Sequence, residues 1–229
     1  MSTHAFRDES AEEPWRAIVA RGHDAEAYLQ GQLSQDVSAL GDDARWSLVL
    51  APDSSVLAAV LVTSIEDGFS LSVPGEVADD VMGALRRFLL RTKCDLSWGD
   101  VASAPFTSPR ERLDERWPGG REFRARLTPH SYGARFVERT ISFAKGCFTG
   151  QELVGRLDAR GASVPWRVIY FEGDSSERVD ELLRSTGPAG PHGITTVLNT
   201  LNGVRGMGVA HRTLLAREEE PGILLSALP

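Results

Sequence analysis

Three short apolar runs between residues 46 and 75 constrain the fold of this chain more than any other feature. They span residues 46–51, 56–63 and 69–73. Pro-Asp follows the first run, Glu-Asp-Gly the second and Pro-Gly the third, and all three are typical turn sequences. Short alternating runs at this spacing predict consecutive antiparallel strands joined by tight turns. The sequence therefore predicts an antiparallel meander.

Helical patterns flank the meander. Residues 24–40 predict a helix with Asp24 at its N-cap, interrupted at Gly31 and resumed as a shorter helical turn. Apolar residues recur at helical spacing over residues 76–91, and residues 94–98 have the pattern of a returning strand. Together these segments predict an α+β fold with a mainly antiparallel sheet.

A second strand-rich block follows an irregular stretch. Residues 102–133 contain prolines, glycines and charges of both signs, which predict a solvated connector with little regular structure. Beyond it the patterns predict three strands, at residues 166–172, 194–199 and 204–211. Asn202-Gly203 predicts a hairpin turn before the last strand. Gly206 and Gly208 alternate in that strand, which indicates a close backbone approach, as in a small β-barrel.

The composition excludes several classes of protein. The chain has 229 residues, 41% of them hydrophobic, enough to bury a sizeable core without disulfides. A net charge of −7 argues against general nucleic-acid binding. The longest apolar run, residues 56–62, is too short to span a membrane, and the first residues lack the apolar core of a secretory signal. Two cysteines and five histidines without metal-ligand spacing predict no metal site. We therefore expect a cytoplasmic protein with no membrane partner, in which Cys94 is structural.

Lysine and glutamine are used sparingly and in few places. Lys93 and Lys145 are the only lysines among 25 basic residues. The four glutamines fall in two short segments, and they are Gln30, Gln32, Gln35 and Gln151. This clustering indicates that the chemistry of these side chains is needed at those places.

Residues 141–161 contain the candidate reactive group. Thr149 and Glu152 have the spacing of a capping box, which predicts a helix that begins at Thr149 and ends near Gly161. Cys147 then lies just before the helix and close to Lys145, and both the helix dipole and the lysine favour a thiolate. The alternative is a buried structural cysteine, the more common fate of this residue type.

Small and charged residues surround this cysteine. Gly146 and Gly150 leave its sulfur approachable. Glu152 and Arg156 are four residues apart, which places them on one face of the predicted helix. They form either a surface ion pair or the polar wall of a pocket in which Arg156 and Arg160 bind carboxylates.

The octet KGCFTGQE at residues 145–152, followed by Arg156, resembles the KGCYxGQE…R signature of the YgfZ family. These proteins are folate-binding relatives of the glycine-cleavage T protein, an aminomethyltransferase. The segment AYLQGQLSQDV at residues 27–37 is similar to the FLQGQxTxDV helix of the same family. The two segments occur in the expected order, with the meander between them.

The resemblance implies a folate-binding, T-protein-like fold followed by a small C-terminal β-barrel. It divides the chain into an N-terminal α+β folate-binding region (residues 1–140), the signature loop and helix (residues 141–161) and the barrel domain (residues 162–229). Tetrahydrofolate is the implied cofactor, and Cys147 is implied to act in the maintenance of iron–sulfur proteins, with Lys145 as the second catalytic candidate. The implied cofactor-binding residues are Gly146, Gly150, Gln151, Glu152, Arg156, Gln30 and Asp36.

The sequence also departs from the family pattern. Phe148 replaces the usual Tyr, which keeps the ring and removes the hydroxyl group. Ser131 follows Pro-His where relatives often have Glu, a carboxylate that could serve the pterin end of the ligand. Glu122 and Glu138 are candidates to replace that carboxylate.

Three functions are compatible with these residues. The first is a folate-binding accessory protein for iron–sulfur proteins or their assembly machinery, and Cys147 favours it because the T protein lacks the signature cysteine. The second is a folate-dependent one-carbon transferase in which Asp36 or Glu152 handles the amine. The third is a scaffold that binds a partner protein and no folate.

Overall fold

The computed structural model of the chain describes residues 14–41, 43–101, 104–161, 163–216 and 220–229. Within these ranges the elements are β1 (Arg16–Arg21), α1 (Ala25–Gln32), β2 (Arg45–Leu50), β3 (Val56–Ile65), β4 (Gly68–Val73), α2 (Ala78–Arg86), β5 (Asp95–Gly99), α3 (Pro109–Asp114), α4 (Gly120–Phe123), α5 (Ala134–Thr140), α6 (Gln151–Ala159), β6 (Trp166–Gly173), α7 (Ser176–Arg184), β7 (Gly193–Thr200), β8 (Gly203–His211) and β9 (Ile223–Ala227). None of the described helices is long and apolar enough to cross a membrane. Residues 1–13, where no secretory signal is expected, and residues 102–103 of the predicted connector lie outside the described ranges.

The first sheet has five antiparallel strands in the order β2-β3-β4-β1-β5. Its strands β2, β3 and β4 confirm the predicted meander, and β5 confirms the returning strand. Strand β1, which lies between β4 and β5, was not predicted from the sequence. Its four central residues are all buried, and such a short continuous apolar run does not by itself distinguish a strand from a helix.

Helices α1 and α2 pack against the first sheet, α1 in contact with β4 and α2 in contact with β3. Helix α1 continues through Gly31, so the predicted interruption there is wrong, and beyond the helix the chain forms an isolated turn, in which the backbone N–H of Leu40 donates to the carbonyl oxygen of Val37. The side chain of Asp24 does not cap α1 but accepts a hydrogen bond from the backbone N–H of Lys93 at 2.7 Å. Helix α2 is shorter than expected, because a 3₁₀ turn (Gly75–Val77) precedes it and turns follow Arg86.

The stretch predicted to be a solvated connector is largely folded and buried, so that prediction is wrong. Ser108 caps α3, and Pro109 occupies its first turn. Trp117, Phe123 and Tyr132 are each at most 3% exposed and belong to one aromatic cluster in the core. Their irregular spacing in the chain hides their burial, because no helical or strand period connects them.

A buried ion pair joins this stretch to the second sheet. One carboxylate oxygen of Glu122 accepts hydrogen bonds from Arg112 (3.1 Å) and from the backbone of Gly119 (2.7 Å). The other accepts from the hydroxyl groups of Thr195 (2.6 Å) and Thr196 (2.7 Å) on β7. Burial raises the pKa of Glu122, but the charge of Arg112 and these hydrogen bonds outweigh it and hold the pKa below its ordinary value.

The second sheet has four antiparallel strands in the order β7-β8-β6-β9, with Val179 and Leu183 of α7 buried against it. It confirms the three predicted strands and the hairpin. A Cβ atom on Gly206 would strike the carbonyl oxygen of Thr196, and one on Gly208 would crowd Leu183, so the predicted close approach is also confirmed. The C-terminal β-barrel is not confirmed, because β7 and β9 are the open edges of the described sheet.

The two sheets share apolar contacts. One buried cluster extends from the first sheet and its helices to Val168, Tyr170 and Met207 of the second sheet. A smaller cluster lies between the second sheet and α7. The proposed division at residues 140/141 and 161/162 stays a prediction.

Candidate functional site

The two segments that carry the family resemblance are in direct contact. We call residues 145–149 the KGC loop and residues 30–36 the QGQ segment. The backbone N–H of Thr149 donates a hydrogen bond to the carbonyl oxygen of Gly31 at 3.0 Å. The hydroxyl group of Thr149 donates to Oε1 of Gln32 at 3.2 Å, across 117 positions of the chain. The fold therefore assembles both segments into one unit.

Lys145 makes the main connection between these segments. Its ammonium nitrogen donates hydrogen bonds to the carbonyl oxygens of Gln30 (2.7 Å), Leu33 (2.6 Å) and Gln35 (3.1 Å). These carbonyls lie at and just beyond the C-terminal end of α1, where backbone oxygens lack partners within the helix and the dipole favours a cation. An ammonium group has three donors, so all of them are engaged by backbone oxygens. The ammonium group therefore binds the QGQ segment and is not directed at Cys147.

The position of Lys145 affects its ionisation. Burial lowers its pKa to about 8, while the negative charge of Asp36 acts in the opposite direction. Its ammonium group also lies 5.4 Å from the centre of the Phe148 ring. Lys145 is thus a partly desolvated cation held between an aromatic ring and a helix end.

Gln30 and Asp36 form the polar core of the QGQ segment. The Gln30 side chain donates to Asp36 at 2.8 Å and accepts from the backbone N–H of Val37 at 3.0 Å. The hydroxyl group of Ser38 donates to the same carboxylate oxygen at 2.6 Å. The hydrogen bonds from Ser38 and Gln30 lower the pKa of Asp36. Asp36 is therefore an ionised carboxylate close to Lys145.

Helix α6 begins two residues later than predicted. Thr149 bonds the QGQ segment instead of capping the helix, so the predicted capping box is wrong. The N-cap residue is Gly150, whose φ of 78° lies in the left-handed region that favours glycine. The hydroxyl group of Ser54 donates to its carbonyl oxygen at 2.6 Å. Gln151 accepts from the backbone N–H of Phe148 at 3.2 Å, which orders the KGC loop just before the helix.

Cys147 is exposed and lines an open cleft of about 1070 Å³. The cleft is lined by residues 147–149 of the KGC loop and by α6, together with the turn at residues 52–54 and Phe88. Of the predicted site residues, five line this cleft: Cys147, Gly150, Gln151, Glu152 and Arg156. The alternative of a buried structural cysteine is thereby wrong.

The remaining predicted site residues are not among the described residues that line this cleft. Gln30, Asp36 and Lys145 form the supporting network behind the loop. Gly146 lies between Lys145 and the cysteine, and a Cβ atom there would meet open space. The structure thus divides the predicted residues into a cleft wall and a support.

Glu152 and Arg156 lie on one face of α6, as the spacing predicts. Their charged groups are 3.6 Å apart, and the side chains are 91% and 67% exposed. An ion pair this exposed contributes little to stability, about 0.3–0.5 kcal/mol for a helical i,i+4 pair. Because both residues also line the cleft, their charges are available to a ligand.

A second, smaller cavity of about 410 Å³ adjoins the cleft, since Pro52 and Phe88 line both. It lies between α2 and the ends of β2 and β3, and its lining combines apolar residues such as Leu57 and Leu85 with charged residues such as Asp80. We call the cleft and the adjoining cavity together the depression beside the KGC loop.

The residues considered as replacements for the missing glutamate do not reach this depression. All the acceptor positions that the structure records for Glu122 serve the buried ion pair with Arg112 and its hydrogen bonds. Glu138 is exposed on α5 and is not among the described cleft residues. Ser131 is buried in a 3₁₀ turn (Pro129–Tyr132). No group of three potential metal ligands occurs in the described part of the chain.

Sequence reasoning missed three residues of the site. Phe88 was assigned only to a helical core face, yet it is 41% exposed and forms a wall of the cleft. Ser54 and Thr149 hold the start of α6 and the KGC loop through hydrogen bonds to distant residues. The one sequence signal for the contact between the QGQ segment and the KGC loop was the clustering of the glutamines, Gln32 among them, in two short segments.

Comparisons with known proteins bear on the fold. No family model matches the chain. An uncharacterized protein of Haemophilus influenzae is 25% identical over 190 residues, covering 65% of this chain and 68% of that protein. The crystal structure of glycine cleavage system aminomethyltransferase T from Bartonella henselae is similar with a TM-score of 0.59 and 12% identity, covering 93% of this chain and 80% of that one. The chain therefore has a T-protein-like fold, with mixed helices and antiparallel sheets.

Proposed function

We propose that this chain is a folate-binding accessory protein of the YgfZ type, which supports iron–sulfur proteins or their assembly machinery in the cytoplasm. The observation that carries the proposal is the assembly of the KGC loop and the QGQ segment into one unit that exposes Cys147 in a cleft. The T-protein-like fold supports the folate part of the proposal. The exposed thiol supports the part that concerns iron–sulfur proteins, because an accessible cysteine can act on a partner.

The depression beside the KGC loop fits tetrahydrofolate in size and chemistry. Pockets for small ligands and cofactors usually measure about 300–1000 Å³ and combine apolar walls with a few polar groups. The cleft has about 1070 Å³, with Phe88 and Phe148 as aromatic surfaces and Gln151 and Glu152 as polar groups. Arg156 is a forked cation suited to the glutamyl carboxylates of a folate. When bound, tetrahydrofolate supplies a carrier for one-carbon groups.

The residues behind the loop have a positioning role in this proposal. Lys145 was a catalytic candidate, but its donors are engaged by three backbone oxygens of the QGQ segment. We therefore assign it the task of holding the KGC loop, and Cys147 is the group that reacts. Gln30 and Asp36 complete the polar support on which Lys145 rests.

A second candidate function is a folate-dependent one-carbon transferase. The observation that favours it is the ionised Asp36, a carboxylate that can bind an amine, within a T-protein-like fold. Transfer of a one-carbon group from an aminomethyl donor to tetrahydrofolate by the purified protein would establish this function. We expect no such turnover, because Asp36 is engaged with Gln30 and Ser38.

Calorimetric titration of tetrahydrofolate into the purified protein tests folate binding. We expect a dissociation constant in the micromolar range, about −8 kcal/mol. Arg156→Ala should weaken it about tenfold or more, since a charge-assisted hydrogen bond contributes about 1.5–3 kcal/mol. Arg160→Ala is the matched control, because Arg160 follows the same helix but is not among the described cleft residues. Absence of heat up to millimolar ligand would favour the scaffold without folate.

Complementation tests the role of the thiol. In a strain that lacks this protein, Cys147→Ala should fail to restore the activity of iron–sulfur enzymes, whereas Cys94→Ala should restore it. Both variant proteins should bind tetrahydrofolate as the unchanged protein does. Full restoration by Cys147→Ala would remove the thiol from the proposed function.

A further inference from the structure

Large apolar side chains are exposed beside the cleft that holds Cys147. Of the seven exposed large apolar residues in the described part of the chain, three lie here: Phe88 (41% exposed), Leu90 (85%) and Leu153 (38%). Phe88 and Leu153 both line the cleft, and Leu90 lies two residues after Phe88 in the turns that follow α2. Exposed apolar groups gathered around a concave surface are typical of an interaction site.

The α2 side of this region carries an excess of positive charge. Arg86, Arg87 and Arg91 flank the apolar residues on the α2 side, are exposed, and have no ion-pair partner among the described residues. The nearest acidic residues of the adjoining cavity are already matched, because Asp79 pairs with Arg16 and Asp80 with Arg126, each at 2.8 Å. This excess stands out in a chain whose net charge is −7.

We infer that Phe88, Leu90 and Leu153, with Arg87 and Arg91 at their edge, dock an acidic, apolar-bearing segment of a partner protein over Cys147. We call these five residues the docking surface. The inference deepens the proposed function, on which it rests for the role of the thiol. Charge complementarity selects the occupant: arginine beside exposed apolar groups is common in protein interfaces, and acidic side chains would match the unpaired arginines.

The shape and charge of the surface favour a protein segment over a lipid surface. Phe88 and Leu153 line a cleft instead of a protruding face, so a flat bilayer would leave the cleft uncovered. On the α6 side the exposed carboxylates of Glu152 and Asp158 would repel anionic lipids. An extended segment can lie across the mouth of the cleft, above a bound folate, and place its acidic groups toward the α2 side only.

Protection of Cys147 from alkylation tests the docking surface. The protein carries Cys94→Ala, so that Cys147 is its one thiol, and the probe is a short synthetic peptide of glutamate and leucine residues. At a peptide concentration about ten times its dissociation constant, alkylation should slow by about tenfold, following the fraction of protein left free. Added salt should weaken the protection, since charges contribute to binding. The same peptide with lysine in place of glutamate should not protect.

Leu90→Asp and Arg91→Glu together should abolish the protection without affecting folding, because both side chains are exposed. Leu201→Asp is the matched control, since Leu201 is fully exposed in the hairpin between β7 and β8 and should leave the protection unchanged. Equal protection of the double variant, or equal protection by the lysine peptide, would overturn the inference. A further outcome would overturn the inference in favour of a membrane surface: the protein binds phosphatidylserine vesicles, Leu90→Asp abolishes that binding, and the peptide gives no protection.

Titration of tetrahydrofolate into the same proteins separates this inference from the proposed function. Folate binding without peptide protection would refute the docking surface alone. Peptide protection without folate binding would support the docking surface and refute the folate part of the proposed function.

Discussion

Replacing Lys145 with methionine tests whether this residue joins the KGC loop to the QGQ segment. The change keeps a side chain of similar length and removes the three hydrogen bonds to backbone oxygens. Because Lys145 is only partly buried, water replaces part of each bond, and we take about 1 kcal/mol per bond, or about 3 kcal/mol in total. Solvent screening at this half-buried side chain reduces the desolvation cost that its lowered pKa reflects, and relief of the remainder offsets about 1 kcal/mol. The free energy of unfolding should therefore fall by about 2 kcal/mol.

Urea denaturation, followed by the fluorescence of the buried tryptophans, measures this loss. A change of 2 kcal/mol corresponds to roughly 4–8 °C in the melting temperature of a chain this size. Lys93→Met is the matched control, because Lys93 is the other lysine of the chain, is exposed, and takes part in hydrogen bonds through its backbone. If the two variants were equally stable, the assigned role of Lys145 would be refuted.

The pH dependence of the same comparison gives a second, independent result. The pKa of Lys145 is about 8 in the folded protein against an ordinary value of 10.5. Between these values the unfolded chain binds more protons, so the free energy of unfolding rises with pH, by at most about 1.4 kcal/mol per pH unit from this group. Below pH 8 the desolvation cost is present in full. The difference in the free energy of unfolding between the unchanged protein and Lys145→Met should therefore increase from pH 8 to pH 10. A constant difference would contradict the burial of the ammonium group.

The remaining predictions concern stability and use urea denaturation. Gly150→Ala should destabilise the protein by more than about 1 kcal/mol, because at a positive φ the new Cβ atom would strike the carbonyl oxygen of Ala51 and the side chain of Leu50. Gly155→Ala, in open space within α6, should stabilise the protein by about 0.5–1 kcal/mol, and the opposite order would contradict the observed start of α6. Glu122→Gln should lower the free energy of unfolding by about 3–5 kcal/mol, because it removes the carboxylate from a buried ion pair with Arg112. A loss below about 1 kcal/mol would argue against that ion pair. Burial lowers the pKa of His130 below 6.5, although the charge of Asp158 acts in the opposite direction. The free energy of unfolding should therefore fall as the pH drops below 6.5, because the unfolded chain binds the proton more readily. His130→Phe should reduce this loss of stability at low pH.

Local patterns were sufficient to predict much of the secondary structure. The meander, the returning strand β5 and the hairpin at Asn202-Gly203 depend on alternation and turn residues, which act between neighbours in the chain. The connector at residues 102–133 was predicted wrongly because its burial depends on aromatic residues without a period, such as Trp117 and Tyr132. The β-barrel is not confirmed, because closure requires pairing of β7 with β9, which no local pattern specifies.

For the candidate site, the sequence by itself determined which residues are chemically unusual: a cysteine between glycines, the lysine near it and the clustered glutamines. Only the tertiary structure decided what each of them does. It exposes Cys147 in a cleft, directs Lys145 to the end of α1, and uses Thr149 to bond Gln32 instead of capping α6. The physical reason is that a hydrogen-bonding group takes the partner that the fold brings within about 3 Å, and these partners lie more than 100 positions away in the chain.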